Sequence, residues 1–405
     1  MSGDEAPRWN VVMTPPSLAA LPLEGRFTDR EDALHEAAQE ATGCNDFGDD
    51  EYREGLGVLL SSLDEEAQLS ATGRHVATQR VVAALSSRLH AERGWRKHPA
   101  CLLEEIEGPL VIVGLPRTGT TALHHLLARD PANQGIELWL CETPMPRPAR
   151  EEWRDDPRFC RCRDALQAQF DANPELIAAH EMAADEVDEC WRLFHQSFAS
   201  VTFECTSTLP TYSKWWAQHD MSAAYRRHRD NLKLIGNGTT GRRWVLKDSS
   251  HLFAMEALFE VYPHARVIVT HRHPVKLIPS VCSLNSRFRA GLDAKPDPHA
   301  LGREQLELWA RGIERTMEAR RQRAPEQFFD MRFDEFVRNP LGMVRRIYDA
   351  FGLELSPAAE REMRSWRAAN PRGQHGAHDY TLEDYGLSAS AVEDRFRGYL
   401  EVYSI

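Results

Sequence analysis

The chain has 405 residues, of which 42% are apolar and 27% charged, the balance of a folded protein and not of a disordered one. Lys plus Arg number 49 against 61 Asp plus Glu, a net charge of −12, which argues against nucleic acid as a partner but leaves room for one basic pocket that takes a small anion. Eight cysteines are too sparse for a disulfide scaffold; Cys160 and Cys162 form the only close pair, with no second pair at zinc spacing, so no metal site is expected. The opening MSGDEAPRWN lacks a basic stretch running into an apolar core, and no apolar run approaches the ~20 residues of a membrane span. A reduced, cytoplasmic protein is the expectation; oligomeric state is not legible.

In chain order, residues 1–30 are Pro-rich and irregular. Residues 30–96 carry helical periodicity, with Tyr52, Leu56, Leu59, Leu60 and Leu63 on one stripe and Val81, Val82, Leu85 and Leu89 on another. The period then changes. Leu110 to Val113 is a short apolar run ending at Gly114, the pattern of a buried parallel strand, and Thr120 to Ala128 follows as a helix stopped by Asp130-Pro131. Residues 135–240 are mixed, with helices expected near 158–170, 184–198 and 221–235. The alternation then resumes: strand Trp244–Leu246, helix His251–Val261, strand Val267–Thr270, helix Pro274–Leu284, a long helix over 301–323, strand Phe328–Phe333 and helix 340–352. A His- and Gly-rich tail spans 371–387, before a last helix at 388–401. Strands separated by helices predict right-handed crossovers and a mostly parallel sheet covered on both faces, an α/β three-layer sandwich.

Two segments carry chemistry. The first, VIVGLPRTGTTALHHLL, is strand, glycine loop and helix. Gly114 and Gly119 permit a tight turn, and the following helix contributes its positive end, together an anion cradle. The pattern approaches the P-loop GxxxxGK[ST], but Thr120 stands where the lysine belongs and Arg117 is the loop's only cation. A P-loop kinase or other NTPase is the competing reading, and the missing lysine counts against it. The second segment, RWVLKDSSHLFAMEALFEVYPHARVIVTHRHPVKLIPSVCSL, puts Lys247 at one strand end and Arg272 at the next, with His251 opening a helix and Ser280 eight residues beyond Arg272. Ligands of open α/β sheets sit at the carboxyl ends of strands, so Gly114, Lys247 and Arg272 converge on one crevice.

These segments, with HEMAADEVDECWRLFHQSFAS, TYSKWW, MRFDEFVRNPLGMVRRIYDAFGL and GAHDYTLEDYGL, resemble the sulfotransferases that use 3′-phosphoadenosine 5′-phosphosulfate, in particular a bacterial branch with WVLKSPxHL and THRDP; the resemblance spans about residues 48–400. It implies that Arg117, Thr118, Gly119, Thr120 and Thr121 hold the 5′-phosphosulfate and that Arg272 and Ser280 hold the 3′-phosphate. Arg372, His375, Gly376 and His378 of the tail are candidates to cover the same phosphate, or else form a plain surface loop. The chain departs from the pattern in having Asp248-Ser249 for Ser-Pro, His273 for the acid, and Leu140 where a glutamate follows the tryptophan.

The implied reaction moves a sulfuryl group in line to a hydroxyl of a small-molecule acceptor, without metal. Lys247 would stabilise the leaving oxygen and keep a neighbouring His251 neutral, and His251 would take the acceptor's proton. Glu142 is the second candidate base, with His124 and His125 behind it. Residues 1–100 read as an N-terminal arm and helical region. Residues 101–405 read as a P-loop-like α/β domain with a helical acceptor-side insertion at about 135–240 and a cofactor-covering tail at about 371–387. The rings of Trp139, Trp191, Phe194, Phe198, Tyr212, Trp215 and Trp216 could line an apolar acceptor pocket or be plain core.

Overall fold

The computed structural model describes residues 25–172, 182–239, 241–371 and 380–405. Three helices come first, α1 Glu31–Thr42, α2 Tyr52–Glu65 and the 27-residue α3 Ala71–Lys97, which begins where the Ser70 hydroxyl accepts from the Gly73 N–H. The strands are β1 Leu110–Gly114, β2 Asn133–Gln134, β3 Arg243–Lys247, β4 Arg266–His271 and β5 Phe328–Arg332. All neighbours run parallel in the order β2-β3-β1-β4-β5. The chain leaves β1 toward β2 and β3 on one side and returns to β4 on the other. The carboxyl end of β1 is therefore the point where the strand order reverses, and a crevice opens there.

Alternation along each strand sends side chains to two cores. Val111, Val113, Leu246, Val267 and Val269 join the larger one. Leu110, Ile112, Val245, Ile268 and Met331 join the smaller, packed under Leu123, Leu126 and Leu127 of α4 (Thr120–Ala128) and Val344 and Ile347 of the helix Pro340–Ala350. Phe27, Leu34, Tyr52, Leu56, Leu59, Leu85 and Leu89 of the N-terminal helices belong to the larger core as well.

Three local expectations change, and two elements are added. The helix expected over 184–198 forms only at Trp191–Phe194 and a following 3₁₀ turn, because residues 186–188 are drawn out alongside 136–138: Leu138 N–H donates to the Glu186 carbonyl and Asp188 N–H to Ile136. The helix expected from His251 divides at Ala254 into a 3₁₀ turn Ser249–Phe253 and a helix Met255–Val261. The last helix is two, Ala389–Arg395 and Arg397–Tyr403. The two-residue β2 and the helix Pro357–Ala369 were not foreseen. Among the aromatic side chains, Trp139, Phe194, Phe198, Tyr212 and Trp216 are core, while Trp191 and Trp215 are half-buried.

Candidate active site

The glycine loop between β1 and α4 is fixed from below. Thr118 is fully buried; its hydroxyl donates to the Leu115 carbonyl at 2.6 Å and lies 2.5 Å from the Thr270 hydroxyl of β4. That hydroxyl is spent inside the protein, so any contact of Thr118 with a ligand falls to its backbone. Arg117 has φ 67° and Gly119 φ 86°, two left-handed residues flanking Thr118. Only glycine suits position 119, because a Cβ there would also meet the rings of Phe333 and Phe336 at 3.2 Å. The turn hands the chain to α4 with Thr120 and Thr121 in its first turn.

Arg117, Arg272 and Ser280 meet. Arg117 donates through Nε to Ser280 Oγ at 3.2 Å, across 163 residues of sequence, and Arg272 donates through Nη1 to the Arg117 carbonyl at 2.8 Å. The Arg272 guanidinium lies over the Phe333 ring, 4.4 Å from its centroid. His273 starts the helix Pro274–Arg289 as its cap, its Nδ1 accepting from Val275 N–H.

Lys247, the last residue of β3, is paired with Ile112 of β1 in register and is buried. Its ammonium donates to Thr121 Oγ1 at 3.3 Å and to Glu189 in direct contact. Glu189 is a site residue that the motif reading passed over, although the run Asp185-Glu186-Val187-Asp188-Glu189 stood inside a quoted motif. The Cys190 N–H donates to the Lys247 carbonyl and anchors that run at the strand end. Asp248, directly after Lys247, accepts from the Ser250 N–H through Oδ1, while Oδ2 is buried with no partner among the described residues. Burial, then repulsion by Glu189, pushes its carboxyl up to about 8.

His251 is sealed, with no exposed surface. Its Nδ1 is 2.6 Å from the Tyr225 hydroxyl and the Phe194 ring meets it edge-on at 5.9 Å, while Nε2 is buried with no partner among the described residues. The ring is held neutral, its pKa well below the ordinary value, but the cause is burial and then His228 rather than Lys247.

Glu142 ends helix α5 (Leu138–Glu142). Its Oε1 is 3.9 Å from Arg192 Nη1, and burial raises its pKa against the pull of that guanidinium. Arg192 also donates to Asp188 at 2.8 Å, so a chain of charges runs from Glu142 toward the Lys247 cluster. His124 and His125 are both engaged: His124 Nε2 lies 3.1 Å from the Val245 carbonyl, and His125 pairs with Glu186 at 3.2 Å and stacks on Trp366. Arg372, His375, Gly376 and His378 lie outside the described residues. Among the described residues no group of His, Cys, Asp and Glu could hold a metal ion, and no helix is long and apolar enough to cross a membrane.

A small cleft lined by Thr121, His124, Asp188, Glu189 and Lys247 shares Met182 and Ala183 with a cavity of about 660 Å³, whose wall includes Trp153, Phe159, Leu166 and Phe170. The geometry is a glycine loop and helix N-terminus at the carboxyl ends of the strands, with a cavity beside it whose wall mixes these apolar side chains with Arg150, Glu151, Arg154, Arg163 and Asp185.

Comparison with known proteins agrees with this arrangement. Residues 109–357 match the model of the sulfotransferase family. The chain superposes on sulfotransferase STF1 of Mycobacterium tuberculosis H37Rv with TM-score 0.85 and 39% identity, over 91% of this chain and 98% of that one. It superposes on sulfotransferase STF9 of Mycobacterium avium with TM-score 0.85 and 29% identity, over 93% and 97%. It is also 24% identical over 287 residues to the omega-hydroxy-beta-dihydromenaquinone-9 sulfotransferase Stf3 of Mycobacterium bovis, covering 69% of this chain and 71% of that protein. With a matched region that holds the loop, Lys247, Arg272 and Ser280 together, the chain belongs to the sulfotransferase family and is a sulfotransferase.

Proposed function

We propose that the sulfuryl donor is 3′-phosphoadenosine 5′-phosphosulfate and that the acceptor is a hydroxylated, largely apolar small molecule. One observation carries the donor reading: Arg117, Arg272 and Ser280, from three separate elements, form one hydrogen-bonded network beside the N-terminus of α4. Two guanidinium groups, a hydroxyl and a helix end fit a ligand with two phosphate-class groups. The loop Arg117, Thr118, Gly119, Thr120 and Thr121, with Lys247, would hold the phosphosulfate, and Arg272 with Ser280 the 3′-phosphate. Arg372, His375 and Gly376 stay in this reading as residues of a covering tail.

The donor supplies an activated sulfuryl group whose departure leaves charge on a phosphate oxygen. The chain's own task is positioning and charge stabilisation. Lys247 reaches that oxygen by exchanging its contact with Glu189. His251 is the proposed base: with its proton on Nδ1 and donated to Tyr225, Nε2 offers a lone pair to the acceptor hydroxyl. Glu142 is the second choice. The helical region 1–100 and the insertion at about 135–240 form the acceptor side, and the cavity opening on Met182 is its entrance. The Stf3 relative, by its name, acts on an ω-hydroxylated menaquinone, which supports an apolar-bodied alcohol here. Cations and backbone N–H groups provide the neutralisation, so no metal is required. Eight unpaired thiols suit a reducing, cytoplasmic setting.

Calorimetry tests the donor. Adenosine 3′,5′-bisphosphate should bind far more tightly than adenosine 5′-monophosphate or ATP with Mg²⁺, and Arg272→Ala should remove ~1.5–3 kcal/mol of that preference. Equal affinity for the bisphosphate and the monophosphate overturns the reading. Transfer measured with excess chelator should proceed at the untreated rate, and a strict Mg²⁺ requirement would favour the NTPase alternative.

A further inference from the structure

We propose that Tyr399 is a positioning residue of the donor site: by holding His271 and the adjoining main chain, it fixes the Arg272 guanidinium that meets the 3′-phosphate. The inference rests on the donor reading above, in which Arg272 takes that phosphate, and it brings in a residue beyond the stretch that matches the family model.

Arg272 follows His271, the last residue of β4, and His271 is buried. Both nitrogens of that ring are engaged. Nε2 is 2.8 Å from Asp330 Oδ1 on β5, and Nδ1 is 3.1 Å from the hydroxyl of the buried Tyr399. Asp330 is itself gripped by Arg320 at 2.6 and 2.8 Å, so it is a carboxylate and can only accept. Burial lowers the pKa of the His271 ring against the pull of Asp330, which keeps the ring neutral. Its one proton therefore sits on Nε2, Nδ1 is left as an acceptor, and Tyr399 is the donor. The phenol oxygen then has its lone pairs free toward the Arg272 main chain. Burial raises the Tyr399 pKa, and the Arg272 N–H opposes the rise, as a donor beside that oxygen does.

The helix that carries Tyr399, Arg397–Tyr403, is fastened to the same sheet edge. Arg332, at the end of β5, donates to the Tyr403 carbonyl at 2.5 Å and to the Ser404 carbonyl at 3.2 Å. The Tyr403 ring lies against His271, with centroids 4.2 Å apart, and Arg320 donates to its hydroxyl at 3.4 Å. The far end of Arg272 is anchored elsewhere, over the Phe333 ring and on the Arg117 carbonyl. The residue is thus set at two points, its main chain beside Tyr399 and its guanidinium beside the glycine loop. An arginine held at both ends loses less freedom when it meets an anion, so more of the contact appears as affinity. Without the Tyr399 hydroxyl, His271 Nδ1 loses its donor and the junction of β4 with Arg272 loosens, while a phenyl ring still fills the same space.

The test titrates adenosine 3′,5′-bisphosphate and adenosine 5′-monophosphate calorimetrically into the full chain as wild type, Tyr399→Phe, Arg272→Ala and the double variant. Tyr399→Phe should bind the bisphosphate about three- to tenfold more weakly, the scale of one hydrogen bond, and the monophosphate within about twofold of wild type. Monophosphate affinity also reports that the variant is folded. In the Arg272→Ala background the tyrosine change should have no further effect on either nucleotide, because the contact it serves is already gone. Unchanged bisphosphate affinity in Tyr399→Phe, an equal loss for both nucleotides, or a full additional loss in the double variant overturns the proposal. The second of these is what a purely structural role predicts. A wild type that binds both nucleotides alike strikes the donor reading and this proposal with it. A wild-type preference that survives Tyr399→Phe intact strikes the role of Tyr399 alone.

Discussion

If His251 is the base, it acts through Nε2, because its Nδ1 meets the Tyr225 phenol. Tyr225 holds the ring, Phe194 packs on its edge, and Nε2 has no protein partner among the described residues. His251→Gln should lower turnover ~10²–10⁴-fold while leaving the affinity for adenosine 3′,5′-bisphosphate near wild type. Glu142→Gln serves as the comparison, since its carboxylate faces Arg192 and not Lys247. If Glu142→Gln abolishes transfer and His251→Gln does not, the two roles are exchanged. At the same scale, Glu186 makes a pH prediction. Burial opposes its ionisation, but hydrogen bonds and charge from His125 and Arg129 prevail and hold it at about 2, against an ordinary 4.5. A depressed carboxyl stabilises the fold fully above the unfolded value and loses that contribution as pH falls through the folded one. Glu186→Gln should therefore be less stable by about 1–2 kcal/mol at pH 7, a linkage value discounted for partial exposure. Urea unfolding at pH 7 and again near pH 3 should find the gap narrowed at the lower pH; a gap that widens on acidification contradicts the assignment.

Among the elements, the glycine loop is the most constrained, and its constraints can be tested one residue at a time. A Cβ on Gly114 would lie 2.0 Å from Thr270 Oγ1 and 3.0 Å from the Thr270 carbonyl, and Thr270 is locked against Thr118. Gly114→Ala should cost ~1–3 kcal/mol of stability as overpacking, read from a shift in the urea midpoint. Gly119→Ala meets a left-handed backbone as well as two phenyl rings, so it should weaken nucleotide binding more than it weakens the fold. Wild-type nucleotide affinity in Gly119→Ala would show that the turn does not shape the cradle. This loop was legible in the sequence because the hydrophobic period changes sharply at Gly114, from an apolar run to a helical stripe. The ends of β3 and β4 are legible for the same reason, and the sequence alone sets Lys247 and Arg272 at strand ends. Glu189 was not, because its position depends on the extended pairing of 186–188 with 136–138, a contact between distant segments that overrides local helical preference. A two-residue strand such as β2 has no period to read, and the amphipathic Pro357–Ala369 fell between stronger signals.

The whole chain raises the question of whether its helical N-terminal region is a separate body. Composition and periodicity divide the sequence near residue 100, where helices give way to strand–helix alternation. The packing is continuous across that point. Phe27, Leu34, Tyr52, Leu56, Leu85 and Leu89 share one core with Val111 and Val113 of the central strand and with Trp139 and Tyr212 of the insertion. Arg88 of α3 ties the two regions further by donating to the Gln196 carbonyl, and Ser87 donates to the Cys141 carbonyl. Removing residues 1–100 would uncover many buried side chains, each worth ~1.5–3 kcal/mol of burial, against a total stability of only ~5–15 kcal/mol for a typical fold. A chain beginning at residue 101 is therefore expected to lose cooperative unfolding and to bind a hydrophobic dye, even though it keeps the entire matched stretch with its loop, Lys247, Arg272 and Ser280. Calorimetric unfolding and nucleotide titration of the shortened chain decide the matter. A sharp transition together with wild-type affinity for adenosine 3′,5′-bisphosphate would make the first hundred residues an appended lobe. Their loss together would make those residues part of the wall against which the donor site is held.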